Sequence, residues 1–182
     1  LPVNNEVFAE LGSSDYKTAG LVASHKGEEL TVSGDGFYKT HEQVLPVELD
    51  RYGKSGDSEQ YLDYYSLGIK ADYKNIGFKA RLLRREGGPS YGQSFSLSED
   101  DSDFISVDSN TAELAYVVDV SEGIKLDLSL GYIELNRQLQ NKVIPNGITI
   151  NTPGGQVALG DGRYFLVDLV EETFYQRAEL NI

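Results

Sequence analysis

The stretch from Tyr61 to Arg85 alternates with period two on both sides of a turn, so it must put an oily surface and a charged surface back to back. In Tyr65-Ser66-Leu67-Gly68-Ile69-Lys70-Ala71-Asp72-Tyr73 the odd positions are Tyr, Leu, Ile, Ala and Tyr, and the even ones Ser, Gly, Lys and Asp. After the turn Lys74-Asn75-Ile76-Gly77, Phe78, Ala80 and Leu82 continue the oily face and Lys79 and Arg81 the charged one. The pattern returns at Ala112–Val120 and Ile124–Tyr132. Gly interrupts every candidate helical window, so the expected class is all-β. The strands read Glu6–Leu11, Tyr16–His25, Glu29–Thr40, Tyr61–Lys74, Phe78–Arg85, Thr111–Val120, Ile124–Gln138 and Arg163–Ile182, the last with room for a turn near Glu171-Glu172. Residues 1–182 form one segment, without a linker or low-complexity tract.

Loop lengths give the topology. His25-Lys26-Gly27-Glu28, Lys74–Gly77 and Ser121-Glu122-Gly123 are tight turns, and between them lie long connections at His41–Gln60, Glu86–Asn110 and Leu139–Gly162. In an antiparallel up-and-down meander every second connection lies on the same edge, so the tight turns share one edge and the long loops the other. That asymmetry marks outer-membrane barrels. A soluble barrel with its oily face inward shows the same alternation. Three features favour oil facing outward. The polar face carries small or charged residues (Lys125, Asp127, Ser129, Gly131), the strands are long, and Tyr38, Tyr65, Tyr73, Phe78 and Tyr132 sit on the oily face near strand ends, as in an interfacial girdle.

Composition excludes several functions. The net charge of −13 disfavours a nucleic-acid partner. Without Cys there is neither a disulfide framework nor a thiolate metal site. The absence of Met and of an apolar leader reads as a processed or excised piece. No run approaches the roughly 18 apolar residues of a transmembrane helix, which leaves spanning by strands open.

The opening Glu6-Val7-Phe8-Ala9-Glu10-Leu11-Gly12-Ser13-Ser14-Asp15-Tyr16-Lys17-Thr18-Ala19-Gly20 is a strand, a Gly-Ser corner and a second strand. It is followed by Leu30-Thr31-Val32-Ser33-Gly34-Asp35-Gly36-Phe37-Tyr38-Lys39-Thr40. This resembles the start of the barrel in TonB-dependent outer-membrane receptors, where a first strand ends in a Gly-Ser corner and a later small-residue strand ends in aromatics. Ala80-Arg81-Leu82-Leu83-Arg84-Arg85-Glu86-Gly87-Gly88-Pro89 and Tyr175-Gln176-Arg177-Ala178-Glu179-Leu180-Asn181-Ile182 are similar in style. The resemblance covers most of the chain through strand textures rather than a fingerprint. The family's plug and TonB-contacting box are absent, and only about eight strands are visible. It implies the N-terminal part of a transmembrane β-barrel in the bacterial outer membrane. The implied role is uptake of a scarce small-molecule ligand captured by outer loops, with outer-membrane lipid around the wall and a periplasmic energy-coupling protein acting through a plug. No catalysis is implied. The alternative is a soluble secreted or periplasmic β-barrel that binds a small hydrophobic ligand.

Three stretches could carry chemistry. Arg81 and Arg85 share the polar face ahead of Gly87-Gly88-Pro89-Ser90-Tyr91, and with Tyr91 they could hold an anionic ligand or outer-leaflet lipopolysaccharide, guanidinium forks being suited to carboxylate and phosphate. The competing reading pairs those arginines with nearby carboxylates. Glu99, Asp100, Asp101, Asp103 and Asp108 could hold calcium in an outer loop, against a plain solvated acidic loop. Thr149–Leu159 reads as a small hairpin inside a long loop, a ligand-contacting finger or a stiffener. His25 and His41 join no nucleophile. Gly88-Pro89-Ser90-Tyr91-Gly92 matches the letters of Gly-x-Ser-x-Gly but not the strand-to-helix elbow, in a chain read without helices, and no His-Glu-x-x-His or phosphate-binding loop occurs. No cofactor other than that calcium is expected.

Overall fold

The computed structural model describes residues 5–88, 97 and 103–181. Ten strands run in order: β1 Glu6–Leu11, β2 Lys17–Lys26, β3 Leu30–Val47, β4 Gly56–Tyr73, β5 Ile76–Gly88, β6 Phe104–Ser121, β7 Ile124–Ile144, β8 Ile148–Thr152, β9 Gly155–Leu159 and β10 Arg163–Asn181. Eight form one antiparallel sheet in the order β1-β2-β3-β4-β5-β6-β7-β10, and β8 and β9 pair with each other as a separate hairpin. The long strands reach 18 residues in β3, β4 and β6, 19 in β10 and 21 in β7. Strands of soluble domains average about 5–6.

The meander, its edges and the inserted hairpin follow the sequence expectation. Two readings change. The long loops are shorter than expected, because β3, β5, β6 and β7 run on past their oily stretches by ladder hydrogen bonds. No turn interrupts the chain at Glu171-Glu172: β10 pairs with β7 without a break from Tyr164 to Asn181. The short turns lie side by side, the Lys74 N–H donating to Glu29 O at 3.2 Å and the Val117 N–H to Asn75 O at 2.9 Å. Backbone φ is +52° at Lys74 and +79° at Gly123, the left-handed region that such tight hairpins demand.

The register defines the two faces. On the oily face β3 carries Leu30, Val32, Gly34, Gly36 and Tyr38 before Thr40, and β4 carries Tyr73, Ala71, Ile69, Leu67 and Tyr65 before Asp63. Next to them β5 carries Ile76, Phe78, Ala80 and Leu82 before Arg84. On β6 Val118, Tyr116, Leu114 and Ala112 precede Asn110, and on β7 Leu126, Leu128, Leu130 and Tyr132 precede Glu134. Every one of these five strands turns from apolar to polar on the same side of the band. The border is oblique to the ladder: Asp63 aligns with Glu86, two residues beyond Arg84, whereas Asn110 aligns with Glu134. An oblique border is what strands tilted against a flat boundary produce.

Among the described residues no second layer covers this face. Their buried apolar side chains are Leu97, Leu159 and Pro145, none of them in the band, while Leu67 is 58 %, Leu114 50 % and Leu130 59 % exposed. In β4 the opposite face is the sheltered one, with Ser66 and Gly68 buried between exposed Tyr65, Leu67 and Ile69, whereas on β5 Lys79 and Arg81 of that face are exposed. The sheet is open, with β1 and β10 each paired to a single neighbour.

Candidate functional site

Cross-strand partners arrange the polar face in rows. One row is Asp35, Gly68, Arg81 and Thr111 on β3 to β6, and the next toward the short turns is Ser33, Lys70, Lys79, Glu113, Gly131 and Tyr175. These rows neutralise themselves. Arg81 donates to both oxygens of Asp35 at 2.8 and 2.9 Å. Lys79 lies 2.9 Å from Glu113, whose carboxylate also accepts the Tyr175 hydroxyl. Lys70 pairs with Asp72 at 2.9 Å.

A glycine permits each long reach. Asp35 and Arg81 lie on strands separated by β4, roughly 9.6 Å apart at the usual sheet spacing. Gly68 lies beneath them, and a Cβ there would stand 2.5 Å from Asp35 Oδ1 and 2.8 Å from Arg81 Nη2. Gly131 likewise leaves room for Tyr175 on β10 to pass over β7 to Glu113 on β6. Gly20 leaves room for Phe8 on β1 to approach Phe37 on β3, with ring centroids 6.1 Å apart.

Toward the long loops the balance changes. Lys39, Tyr64, Arg85, Val107 and Arg137 align on β3 to β7 as one row. Among the described residues none of these three cations makes an ion pair. The rows on either side, Phe37-Ser66-Leu83-Ser109-Leu135 and His41-Leu62-Gly87-Ile105-Leu139, hold no carboxylate. Acidic groups stand near the ends of the cationic row, Glu10 on β1, aligned through Thr18 with Lys39, and Glu171 on β10, opposite Leu135, and Asp35 and Asp103 each share a cavity with Arg85.

Two cavities meet at Arg85. One of about 590 Å³ is lined by Phe37, Lys39, Leu62, Tyr64, Ser66 and Arg85, with Asp35 and Arg81 at its far end. The other, about 290 Å³, runs toward the long loops past Gln60, Tyr61, Gly87 and Leu139. Phe37 meets Tyr64 edge-on with centroids 5.6 Å apart, and Lys39 Nζ stands 5.3 Å over the Tyr16 ring. The first cavity therefore offers a fixed aromatic corner, a guanidinium and an ammonium.

The long-loop connections bind to one another. Asp50, 7 % exposed, accepts backbone N–H groups of Tyr52 at 2.7 Å, Lys54 at 2.8 Å and Leu97 at 3.0 Å. Burial pushes its carboxyl up, but the N–H donors of Lys54, Leu97 and Tyr52 outweigh that and hold it below the ordinary 3.8. The Tyr52 hydroxyl donates to Val143 O at 2.9 Å, which ties this loop to the end of β7. The β8–β9 hairpin stands where Thr149–Leu159 suggested, anchored by the buried Leu159.

The sequence-derived site residues separate. Arg81 is committed to Asp35, whereas Arg85 makes no ion pair among the described residues. Tyr91, Glu99, Asp100 and Asp101 lie outside the described residues. Asp103 is buried, and its carboxylate accepts the Lys142 N–H at 2.6 Å beside the smaller cavity. Asp108 is on the oily-face side of β6, 3.5 Å from Arg84. Asp103 and Asp108 thus do not converge, and among the described residues no group of three or more His, Asp or Glu could hold a metal ion. Lys39, Tyr64 and Arg137 escape sequence reading because only register aligns them with Arg85.

Compared with known proteins, the chain matches no family model, no curated protein and no solved structure.

Proposed function

We propose that this chain is part of the wall of a transmembrane β-barrel of the TonB-dependent receptor type. It would help carry a scarce small molecule across the bacterial outer membrane, without catalysis. The observation that carries the reading is the oily band: five adjacent strands each present four or five apolar or small residues and then turn polar along one oblique border. From Tyr65 to Tyr73 the band is roughly 20 Å high at about 3.3 Å per residue and about 40° tilt, near the height of an outer-membrane apolar belt. Tyr38, Tyr65 and Tyr132 stand at its upper border and Tyr73 at its lower end, where aromatic rings suit the interface. An uncovered apolar surface this large has to meet lipid or protein. Lipid accounts for the polar border, and the polar face then lines the lumen.

On this reading the long loops capture ligand outside the cell, and a periplasmic energy-coupling protein acts through a plug elsewhere in the receptor. The test is quenching by brominated lipid in reconstituted membranes. Since the chain has no Trp, Leu128→Trp and Ser129→Trp each place one probe. Strong quenching at position 128 and weak quenching at 129 is expected. Equal quenching, or none, would refute the wall and favour a soluble barrel with its oily face inward.

A further inference from the structure

We propose that the cavity at Lys39, Tyr64 and Arg85 binds an aromatic carboxylate. This deepens the wall reading by naming what the lumen face takes.

Charge is the first ground. The chain carries 29 acidic against 16 basic residues. With carboxylates in such excess, unpaired cations are not the default outcome, and lower on the same face Arg81, Lys79 and Lys70 all have carboxylate partners. Lys39, Arg85 and Arg137 have none among the described residues. They recur on alternate strands, roughly 9.6 Å apart by sheet spacing. That distance exceeds a Debye length of about 8 Å at physiological salt, so the cations hardly repel one another, but an anion above Tyr64, between Lys39 and Arg85, would lie within a Debye length of both and be attracted by each.

Shape decides the class of anion. A bare phosphate would need only the cations. The cavity also has an aromatic corner, Phe37 edge-on to Tyr64, continued by the aliphatic side chain of Leu62. A flat ring seated there places an attached carboxylate toward the Arg85 fork, which binds such groups in two-point fashion. Arg85 also lines the cavity that leads toward the long loops, so the same guanidinium could meet the ligand as it enters and again when it is seated.

The test titrates the full chain in detergent micelles with three probes: 2-naphthoate, its neutral analogue 2-naphthylmethanol, and inorganic phosphate. Naphthoate should bind at least tenfold more tightly than either of the others. Arg85→Gln and Lys39→Gln should each weaken it at least tenfold, and Arg85→Lys should restore part of the loss. Lys125→Gln, beside the short turns, should leave it unchanged, and far-UV circular dichroism confirms that each variant keeps its strands. No naphthoate binding, equal binding of the alcohol, equal binding of phosphate, or indifference to both Gln variants overturns the proposal. The lipid-quenching measurement is independent of it. Naphthoate binding without quenching at position 128 would sink the wall and keep the site, and quenching without naphthoate binding would do the reverse.

Discussion

Arg81 reaches both carboxylate oxygens of Asp35 through one nitrogen, Nη2, across a strand that belongs to neither residue, over Gly68. Gly131 serves Tyr175 and Glu113 in the same way. The two glycines differ in what a methyl group would displace. Over Gly68 it meets the flexible end of Arg81 and a carboxylate, in a pair 48 % and 37 % exposed. Such exposed pairs contribute about 0.2–1 kcal/mol. Ala also relieves the conformational entropy cost of Gly, roughly 0.5–1 kcal/mol. Over Gly131 the methyl meets the rigid Tyr175 ring, and overpacking of that kind costs about 1–3 kcal/mol. Gly68→Ala should therefore be near neutral and Gly131→Ala clearly destabilising, read as urea midpoints in micelles. The reverse order would show that the ion pair, and not the ring, governs this face.

Leu128 lies within the oily band and Ser129 on the opposite face. Leu128→Arg should cost about 2–4 kcal/mol of membrane-folded stability, as a charge near a bilayer midplane does. Ser129→Arg, on the opposite face, should cost far less. Equal penalties in a denaturant titration from lipid vesicles would argue against lipid on the oily face.

Loop sidedness can be read on cells. Lys54 lies between β3 and β4 and Pro153 between β8 and β9, on the long-loop edge, whereas Glu122 lies in the β6–β7 turn on the other. If the chain is barrel wall as proposed, epitopes at 54 and 153 should be labelled on intact bacteria that carry it in their outer membrane, and one at 122 should be labelled only after permeabilisation. Surface labelling at 122 contradicts the orientation.

The Asp50 tie should depend on pH. Its folded carboxyl is held below the ordinary 3.8 by backbone N–H groups. The stability it contributes is therefore complete above about pH 3.8 and is lost as pH falls through the lower folded value. Hydrogen exchange of the Lys54 and Leu97 amides, corrected for intrinsic rates, should show protection at pH 6 that fades below pH 4. Asp50→Asn should lower that protection at pH 6 and flatten its pH dependence. Protection that ignores both acid and the substitution would mean that Asp50 does not hold the loops.

Among the described residues the outer edge of the 19-residue β10 has no partner strand, so every second residue leaves its backbone N–H and C=O unpaired there, and such edges template association. The chain alone in detergent-free buffer should therefore self-associate in sedimentation velocity. A dispersed monomer that unfolds cooperatively would point to a closed soluble barrel.

Period-two alternation in residues such as Leu126, Leu128 and Leu130 was enough to assign the class and the two faces, because side-chain direction in a strand is a local property. Loop spacing likewise placed the short turns on one edge, and the bounds of β1 were legible directly. Strand ends were not. Beyond Thr40, Asp63 and Arg84 the face that was oily turns polar, so the pattern fades while the ladder continues. At Glu171-Glu172 two acidic residues resemble a turn, yet pairing with β7 overrides their local preference. The cationic row was equally out of reach. Lys39, Tyr64, Arg85 and Arg137 stand far apart in sequence, and only the register of four successive strand pairs sets them side by side. Pairing also decided that Arg81 is neutralised while Arg85 meets no carboxylate partner among the described residues. The partner of Arg81 lies two strands away, over a glycine, and a contact of that kind depends on how strands align rather than on which residues flank it.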